Sequence, residues 1–376
     1  MSGSVRKKTR LRQAVARQES IREEPKKAQW SNQEYTTEEI LKQFSLPQIV
    51  KCNQDSVRIR SDSPLPINFG NPLVFYDKRT IRKLLAKNIG IDAVSNKYIE
   101  SNETIVIPAD YEGLFLRLQS RTCKDNTCFR SIEAMARNTV RAFLNMTKFT
   151  AFRIGENVAT NDYTKVDYTP GSVFIVDSVC TGTSRSRKDI VQQSYLKCKD
   201  EKDVQILIPF HHPGEFSEVL TNNNRMSVNS EYLIENQKFP MVVRFISSKQ
   251  KPRLKSFSGL FTLVDSFEES TVIGCVLNPS GFTMFELPVS SPLSFHLALN
   301  NQDMNQHPVV KNALKLCEAK HKLYAKDMKY KFKFSHRIVQ LSGKKYSTVP
   351  EDGEDDGPKS ALDSARFDVA TTYLYI

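Results

Sequence analysis

The feature that most restricts the fold is a box written twice. Thr104 to Phe115 reads TIVIPADYEGLF, and Val204 to Phe216 reads VQILIPFHHPGEF. Each copy has a run of Val and Ile, an Ile-Pro pair, four residues, then Gly with Phe two places on. Ile107-Pro108 and Ile208-Pro209 lie 101 residues apart, and so do Gly113 and Gly214. Short apolar runs of β-formers mark a strand buried on at least one face. Proline donates no ladder hydrogen bond and keeps the residue before it extended, so each run is expected to end at Pro108 or Pro209. The glycine then permits a turn or a close backbone approach, and Phe115 or Phe216 opens the next strand pointing inward. Pro108, Gly113, Phe115, Pro209, Gly214 and Phe216 are therefore the expected fold-defining residues.

The stretch after each box repeats as well. Ser131-Ile-Glu-Ala-Met-Ala reads as a short helix ahead of a strand from Val140 to Leu144, and Asn229-Ser-Glu-Tyr-Leu-Ile precedes a strand from Val242 to Ile246. Ser131, and Asn229 or Ser230, suit the N-cap of one or two helical turns. The spacing predicts a duplication of about 100 residues, too long for a solenoid and suited to two halves of one β domain.

Around these boxes the chain reads as many short strands separated by Asn, Asp, Ser, Pro and Gly, which predicts an all-β sandwich or barrel. Thr36-Thr-Glu-Glu39 is a capping box that starts a short helix with Ile40, Leu41 and Phe44 on one face. Lys78 to Asn88 has helical spacing at Ile81, Leu84 and Leu85, so a helix is expected to interrupt the sheet there. The expected organisation is a basic disordered tail over 1–29, one bipartite domain over 30–300 with halves at about 30–146 and 147–300, a basic helix and strand over 301–348, and an acidic linker ending in a YLYI motif over 349–376.

Charge follows that division. The formal net charge is +12, but residues 1–30 carry +6, residues 318–337 carry +5 and residues 338–376 carry −3, which leaves +4 for the core. With 39% hydrophobic residues and 22 Phe the chain can bury a core, and no apolar run approaches a membrane span. A cytoplasmic protein is expected, with the nucleus and the inner face of the plasma membrane open as further locations. The seven cysteines are odd in number and scattered, and they read as reduced thiols rather than a disulfide framework. No cofactor, metal site or catalytic residue is expected.

Several residues together carry a family likeness: Trp30-Ser before a short helix, Leu46-Pro-Gln-Ile-Val50, the doubled box, Cys180-Thr-Gly182, Phe239-Pro-Met-Val-Val, and Gly274-Cys-Val-Leu with Leu287-Pro-Val. In that order, over about residues 30–300, the chain resembles a CABIT domain, the cysteine-containing all-β module of Themis and of the GAREM adaptors, and is closer to the GAREM type. The resemblance implies a bipartite all-β domain without catalytic residues that works in tyrosine-kinase signalling, of the receptor to MAP-kinase kind. The sequence departs from the family's adaptor-binding signatures: no two prolines have PxxP spacing, and none of the 13 tyrosines has Asn two positions later.

The candidate docking residues are tyrosines. Tyr163 and Tyr168 follow Asp162 and Asp167 in a polar stretch and suit a kinase. At the C-terminus, Tyr373-Leu-Tyr375-Ile376 offers a tyrosine with an aliphatic residue three positions on, a shape that phosphotyrosine readers accept. Leu374 and Ile376 with a carboxylate also suit a PDZ-type groove, and a terminal strand packed on the domain is the third reading of the same residues. Expected partners are Src-homology proteins, tyrosine kinases or phosphatases, and a PDZ-type protein.

Two other classes stay open. Tyr324 to Arg337 interleaves aromatics with Lys, which suits nucleic acid or an anionic membrane, or equally an edge strand guarded by outward Lys with Phe332 and Phe334 inward. His211-His212 with Cys180 or Cys198 invites a Cys–His enzyme, but no carboxylate is placed by sequence to orient either His. The reading that ties the most residues together is a non-enzymatic signalling adaptor acting through protein–protein contacts, with a basic nucleic-acid- or membrane-binding module as the alternative.

Overall fold

Alternating burial along short runs makes strands almost throughout the computed structural model, which describes residues 28–53, 60–61, 66–92, 98–119, 128–155, 163–185, 190–221, 226–236, 238–248, 257–278, 281–339 and 367–376. In chain order the strands are β1 (Trp30–Thr36), β2 (Gln48–Cys52), β3 (Arg60–Ser61), β4 (Leu73–Ile91), β5 (Tyr98–Pro108), β6 (Gly113–Leu118), β7 (Phe129–Ser131), β8 (Ala142–Asn145), β9 (Phe149–Ile154) and β10 (Tyr163–Tyr168). They continue as β11 (Val173–Arg185), β12 (Ile190–Lys199), β13 (Gln205–Pro209), β14 (Pro213–Leu220), β15 (Ser227–Val228), β16 (Met241–Ser248), β17 (Leu260–Val276), β18 (Thr283–Pro288), β19 (Ser294–Ala298), β20 (Lys329–Val339) and β21 (Phe367–Tyr375). The helices are α1 (Thr37–Gln43), α2 (Ile132–Arg137), α3 (Ser230–Asn236), α4 (Asn301–Gln306) and α5 (Pro308–Lys326). The all-β expectation holds.

The chain forms two compact units. The first holds Met1–Ile81, Glu269–Ala325 and Lys331–Ile376, and the second holds Arg82–Glu268 and Lys326–Tyr330. In the first unit β1, β19, β2 and β4 pair in that order, antiparallel throughout. Phe75, Phe285, Phe295 and Leu374 are fully buried in one cluster, and Ile273, Cys275, Val310, Ala313 and Cys317 form another that seats α5. The predicted capping box is present at α1, where Thr36 and Glu39 each bond the other's backbone N–H.

The second unit contains both boxes, and their registers superpose. On β5, Pro108, Ile107, Val106, Ile105 and Thr104 face Lys83, Leu84, Leu85, Ala86 and Lys87 of β4. On β13, Pro209, Ile208, Leu207, Ile206 and Gln205 face Tyr195, Leu196, Lys197, Cys198 and Lys199 of β12. On the other edge Val106 and Ile105 pair with Lys329 and Tyr330, as Leu207 and Ile206 pair with Phe152 and Arg153. The two copies are thus equivalent strand for strand.

The later parts of each repeat cross over. Strand β6 of the first box pairs with β15 and β16, which come after the second box. Strand β14 of the second box pairs with β7 and β8, which come after the first. Helix α3 therefore closes the cluster of Ile105, Ile107 and Phe115 with Leu233 and Ile234, and α2 closes the cluster of Ile206, Ile208 and Phe216 with Ile132 and Met135. A third cluster takes Leu116, Leu118 and Leu144 together with Val219, Val242 and Leu260. Neither repeat completes a core from its own residues, since each of the three clusters draws on strands or a helix of both.

Several expectations are corrected. Lys78 to Asn88 is strand, not helix: the ladder to β5 and the burial of Leu84, Ala86 and Ile89 outweigh a helical spacing that any short apolar run can mimic. Strand β20 is no guarded edge, because β21 pairs with it from Lys331 to Val339 and β3 pairs on its other side. Residues 1–27 of the expected tail over 1–29, and residues 349–366 of the expected acidic linker and terminal motif over 349–376, lie outside the described residues.

Candidate functional site

Each box makes the same turn. The Tyr111 N–H donates to the Pro108 carbonyl at 3.0 Å, and the His212 N–H donates to the Pro209 carbonyl at 3.0 Å. The glycines serve close approach rather than unusual backbone. The Tyr111 ring lies against Gly113 where a Cβ would stand, and a Cβ on Gly214 would meet the Phe216 ring at 2.6 Å. Pro108, Pro209, Phe115 and Phe216 are buried, the two phenylalanines completely. Helix caps tie the repeats together here: Ser230 Oγ donates to the Ala109 carbonyl at 2.7 Å, and the Glu133 N–H at the start of α2 donates to the corresponding Phe210 carbonyl at 3.2 Å.

The mouths of the two turns differ. At the second, Met146 to Phe149 runs across the opening. Its Met146 N–H donates to the Glu215 carbonyl at 2.7 Å, and the Glu215 N–H donates to Thr147 Oγ1 at 3.1 Å. The Phe149 ring sits 5.8 Å from both the His212 and Phe216 rings. His212 is held between the Pro213 carbonyl, 2.7 Å from Nδ1, and the Thr150 N–H, 3.4 Å from Nε2, so Nδ1 donates and Nε2 accepts.

At the first turn a cleft of about 540 Å³ is lined, among the described residues, by Tyr111, itself only 5% exposed, by Leu114 and Ser248 and by the carboxylates of Asp110, Glu112 and Glu231, and the Phe245 ring packs 6.5 Å from Tyr111 and 6.0 Å from Phe115. Leu114 is 41% exposed. Burial pushes the Tyr111 phenol up to about 12. Lys329 stands in the register of Phe152, but the chain before it is the end of α5 rather than a strand, and Lys326 there pairs with Glu112, with Nζ 3.0 Å from Oε1. The sequence reading did not single out these acidic residues, although ADYEG against FHHPG in the aligned boxes displays the contrast.

The predicted docking residues are not gathered in one place. Tyr163, at the start of β10, is 53% exposed. Tyr168, at the other end, is half-buried, stacks on Phe149 at 5.6 Å and donates its hydroxyl to Asp200 Oδ2 at 3.1 Å. Burial first, and then the Asp200 carboxylate, push its phenol up to about 12. Tyr373 pairs through its backbone with Lys333. Tyr375 is a core residue: its side chain is fully buried, its hydroxyl donates to Glu269 Oε1 at 3.0 Å, and its carbonyl accepts from the Tyr324 hydroxyl at 2.9 Å. Ile376 packs half-buried against the same unit's core. The terminus is thus laid down as a strand, and its use as a docking peptide requires β21 to come away.

The thiol and imidazole groups keep other company. Burial raises the Cys52 thiol to about 12 and pushes Cys198 well above the ordinary thiol value. Cys275 donates to Cys317 inside the first unit and is held high by that bond and by burial. His211 contacts the Gln193 side-chain amide. On the basic strand β20, Phe332 packs partly buried against the core, and β21 pairs along it from Lys331 to Val339. Among the described residues no group of three or more His, Cys, Asp or Glu gathers to hold a metal ion, and no helix is long and apolar enough to cross a membrane.

Comparison with known proteins returns one family. Neither the curated proteins nor the solved structures contain a match to this chain. The model of the CABIT family, described as cell-cycle sustaining, positive selection, matches residues 82–311. That span covers more than half of the chain and includes both boxes, both caps and the crossed strands, so this chain belongs to the CABIT family.

Proposed function

We propose that this protein is a non-enzymatic signalling adaptor of tyrosine-kinase pathways, of the receptor to MAP-kinase kind, working through protein–protein contacts in the cytoplasm. Membership of the CABIT family supports an adaptor-type role in signalling. The observation that carries the finer reading is the placement of Tyr163, a tyrosine preceded by Asp162, with its side chain in solvent at the start of β10. A phosphate added there meets no buried neighbour, whereas one on Tyr168 displaces the bond to Asp200 and sets like charges together. Src-homology proteins, kinases and phosphatases are the partners this reading calls for. The thiols raised by burial and the neutral hydrogen-bond partners of His211 and His212 support leaving catalysis out of it.

The test is capture of the full chain from cells with tyrosine phosphatases inhibited, beside a Tyr163→Phe variant and a Tyr373→Phe, Tyr375→Phe variant. The expected result is phosphotyrosine at Tyr163 and Src-homology partners lost with Tyr163→Phe. Loss only with the terminal variant moves the docking site to a detached β21. No phosphotyrosine on the captured chain overturns the reading.

A further inference from the structure

Strands β11 and β12 outrun the sheet they belong to. Strand β8 pairs with β11 only from Val173 to Ile175, and β13 pairs with β12 only from Tyr195 to Lys199, whereas β11 and β12 stay paired with each other as far as Arg185 and Ile190. A bulge between Val176 and Ser178 marks the point where β11 leaves β8. Beyond it the two strands form a ribbon of their own, and a two-stranded ribbon is marginal in water. One face of the ribbon is backed by the Tyr195 ring, which a Cβ on Gly182 would meet at 3.2 Å. The edge of β12 is taken at its base, where the Phe210 N–H donates to the Ser194 carbonyl at 3.0 Å. The edge of β11 from Ser178 to Arg185 has no strand beside it among the described residues, and Ser178, Val179, Thr181 and Thr183 are exposed, Val179 at 55%.

An open edge is ordinarily guarded by charge or by proline. Strand β10, at the end of the same sheet, follows that rule with Lys165 and Asp167 exposed. Ser178 to Ser184 does not: it reads SVCTGTS, without a charge or a proline. Laid antiparallel against a second copy about Thr181, the segment is complementary to itself. Thr181 then stands opposite Thr181, and Val179 opposite Thr183, which are favourable cross-strand pairs. Cys180 falls opposite Gly182, and at the ends Asp177 falls opposite Arg185, a match of opposite charge. We propose that this chain binds a second copy of itself through the β11 edge, the two ribbons pairing antiparallel across a two-fold axis at Thr181 to make one four-stranded sheet. A self-matching register calls for the same segment as its partner, which an unrelated peptide does not supply. The inference needs no phosphotyrosine and no other protein, so it and the adaptor reading fail separately.

The test is the mass of the full chain in solution, measured by sedimentation equilibrium for the wild type, for Thr181→Lys, for Thr181→Glu and for an equal mixture of the two variants. Thr181 is exposed, so neither charge enters a core, and melting curves show that the fold is retained. Each variant alone sets like charges against each other on the two-fold axis, whereas the mixture sets opposite ones together. The expected result is a wild-type dimer, association weakened about tenfold or more in each variant alone, and a mixed dimer recovered in the mixture and weakened by added salt. Three outcomes overturn the proposal: a wild-type chain that stays monomeric, a dimer that both variants leave intact, and a dimer lost in both variants that the mixture does not restore. The second would place the contact elsewhere on the chain, and the third would deny the register about Thr181.

Discussion

The two boxes of the second unit share one frame and differ at their mouths. Five consecutive pairs on one side and two on the other are in the same register, and the turn bonds match in partners and length. Yet Phe149, from the strand that follows β8, packs on His212 and Phe216 at one mouth, while at the other Phe245 of β16 packs on Tyr111 and Phe115 beside the Lys326–Glu112 pair. The difference teaches that strand pairing sets where a side chain stands, while its chemistry decides whether the place is core or cleft.

The largest effect expected from this contrast is at the sealing residue. Phe149→Ala should cost about 3–5 kcal/mol, as for other fully buried phenylalanines, whereas Lys326→Ala, an exposed ion pair, should cost less than about 1 kcal/mol. Urea denaturation of the two variants checks the ratio, and similar losses would mean that the first mouth is as closed as the second.

Next come the glycines. Gly113→Ala and Gly214→Ala each drive a methyl into an aromatic ring and should cost about 1–3 kcal/mol. Replacing Tyr111 by alanine as well should remove most of the Gly113 penalty, and a double-mutant cycle on melting temperature reads that coupling. Additive losses would show that the ring is not the obstacle.

A smaller effect tests the cross-tie. Ser230→Ala deletes the bond to the Ala109 carbonyl, which should cost about 1 kcal/mol, more if that carbonyl is left buried and unpaired. The equivalent tie, from the Glu133 backbone, has no side chain to delete, so only the first copy should respond to this kind of change.

The smallest effect is one of pH. Asp167 accepts from Lys148 and Thr150 at the start of β9, and these bonds hold its carboxyl below its ordinary value of 3.8. A folded pKa below the unfolded one adds stability that is complete above the ordinary value and is lost as pH falls through the lower, folded one. Asp167→Asn should therefore flatten the acid limb of a stability curve below about pH 4 and leave neutral pH nearly unchanged.

Much of this frame is legible in the chain itself. Local rules suffice for the boxes, the caps at Ser131 and Asn229, the capping box at Thr36 and most strands, because proline, glycine and N-cap chemistry act within a few residues. Lys78 to Asn88 misleads, since Ile81, Leu84 and Leu85 fit a helix as well as a strand and only the distant β5 decides. The crossing of the repeats is silent for the same reason. Strand β6 satisfies its local pattern equally well against β8 or β16, and only the folded register shows that it takes β16. The ion pair beside the first turn is more deeply hidden, because Lys326 lies 214 residues beyond its partner Glu112.

The central claim is that each repeat completes the other's core. It is tested most directly by hydrogen exchange under native conditions in a Phe216→Ala variant, followed amide by amide in both clusters. The account predicts that protection at Ile105, Ile107 and Leu116 falls by the same factor as at Phe174, Ile206 and Ile208, because clusters that each draw on both repeats open together. Wild-type protection around the first box, with loss confined to the second, would show two independent cores and contradict it.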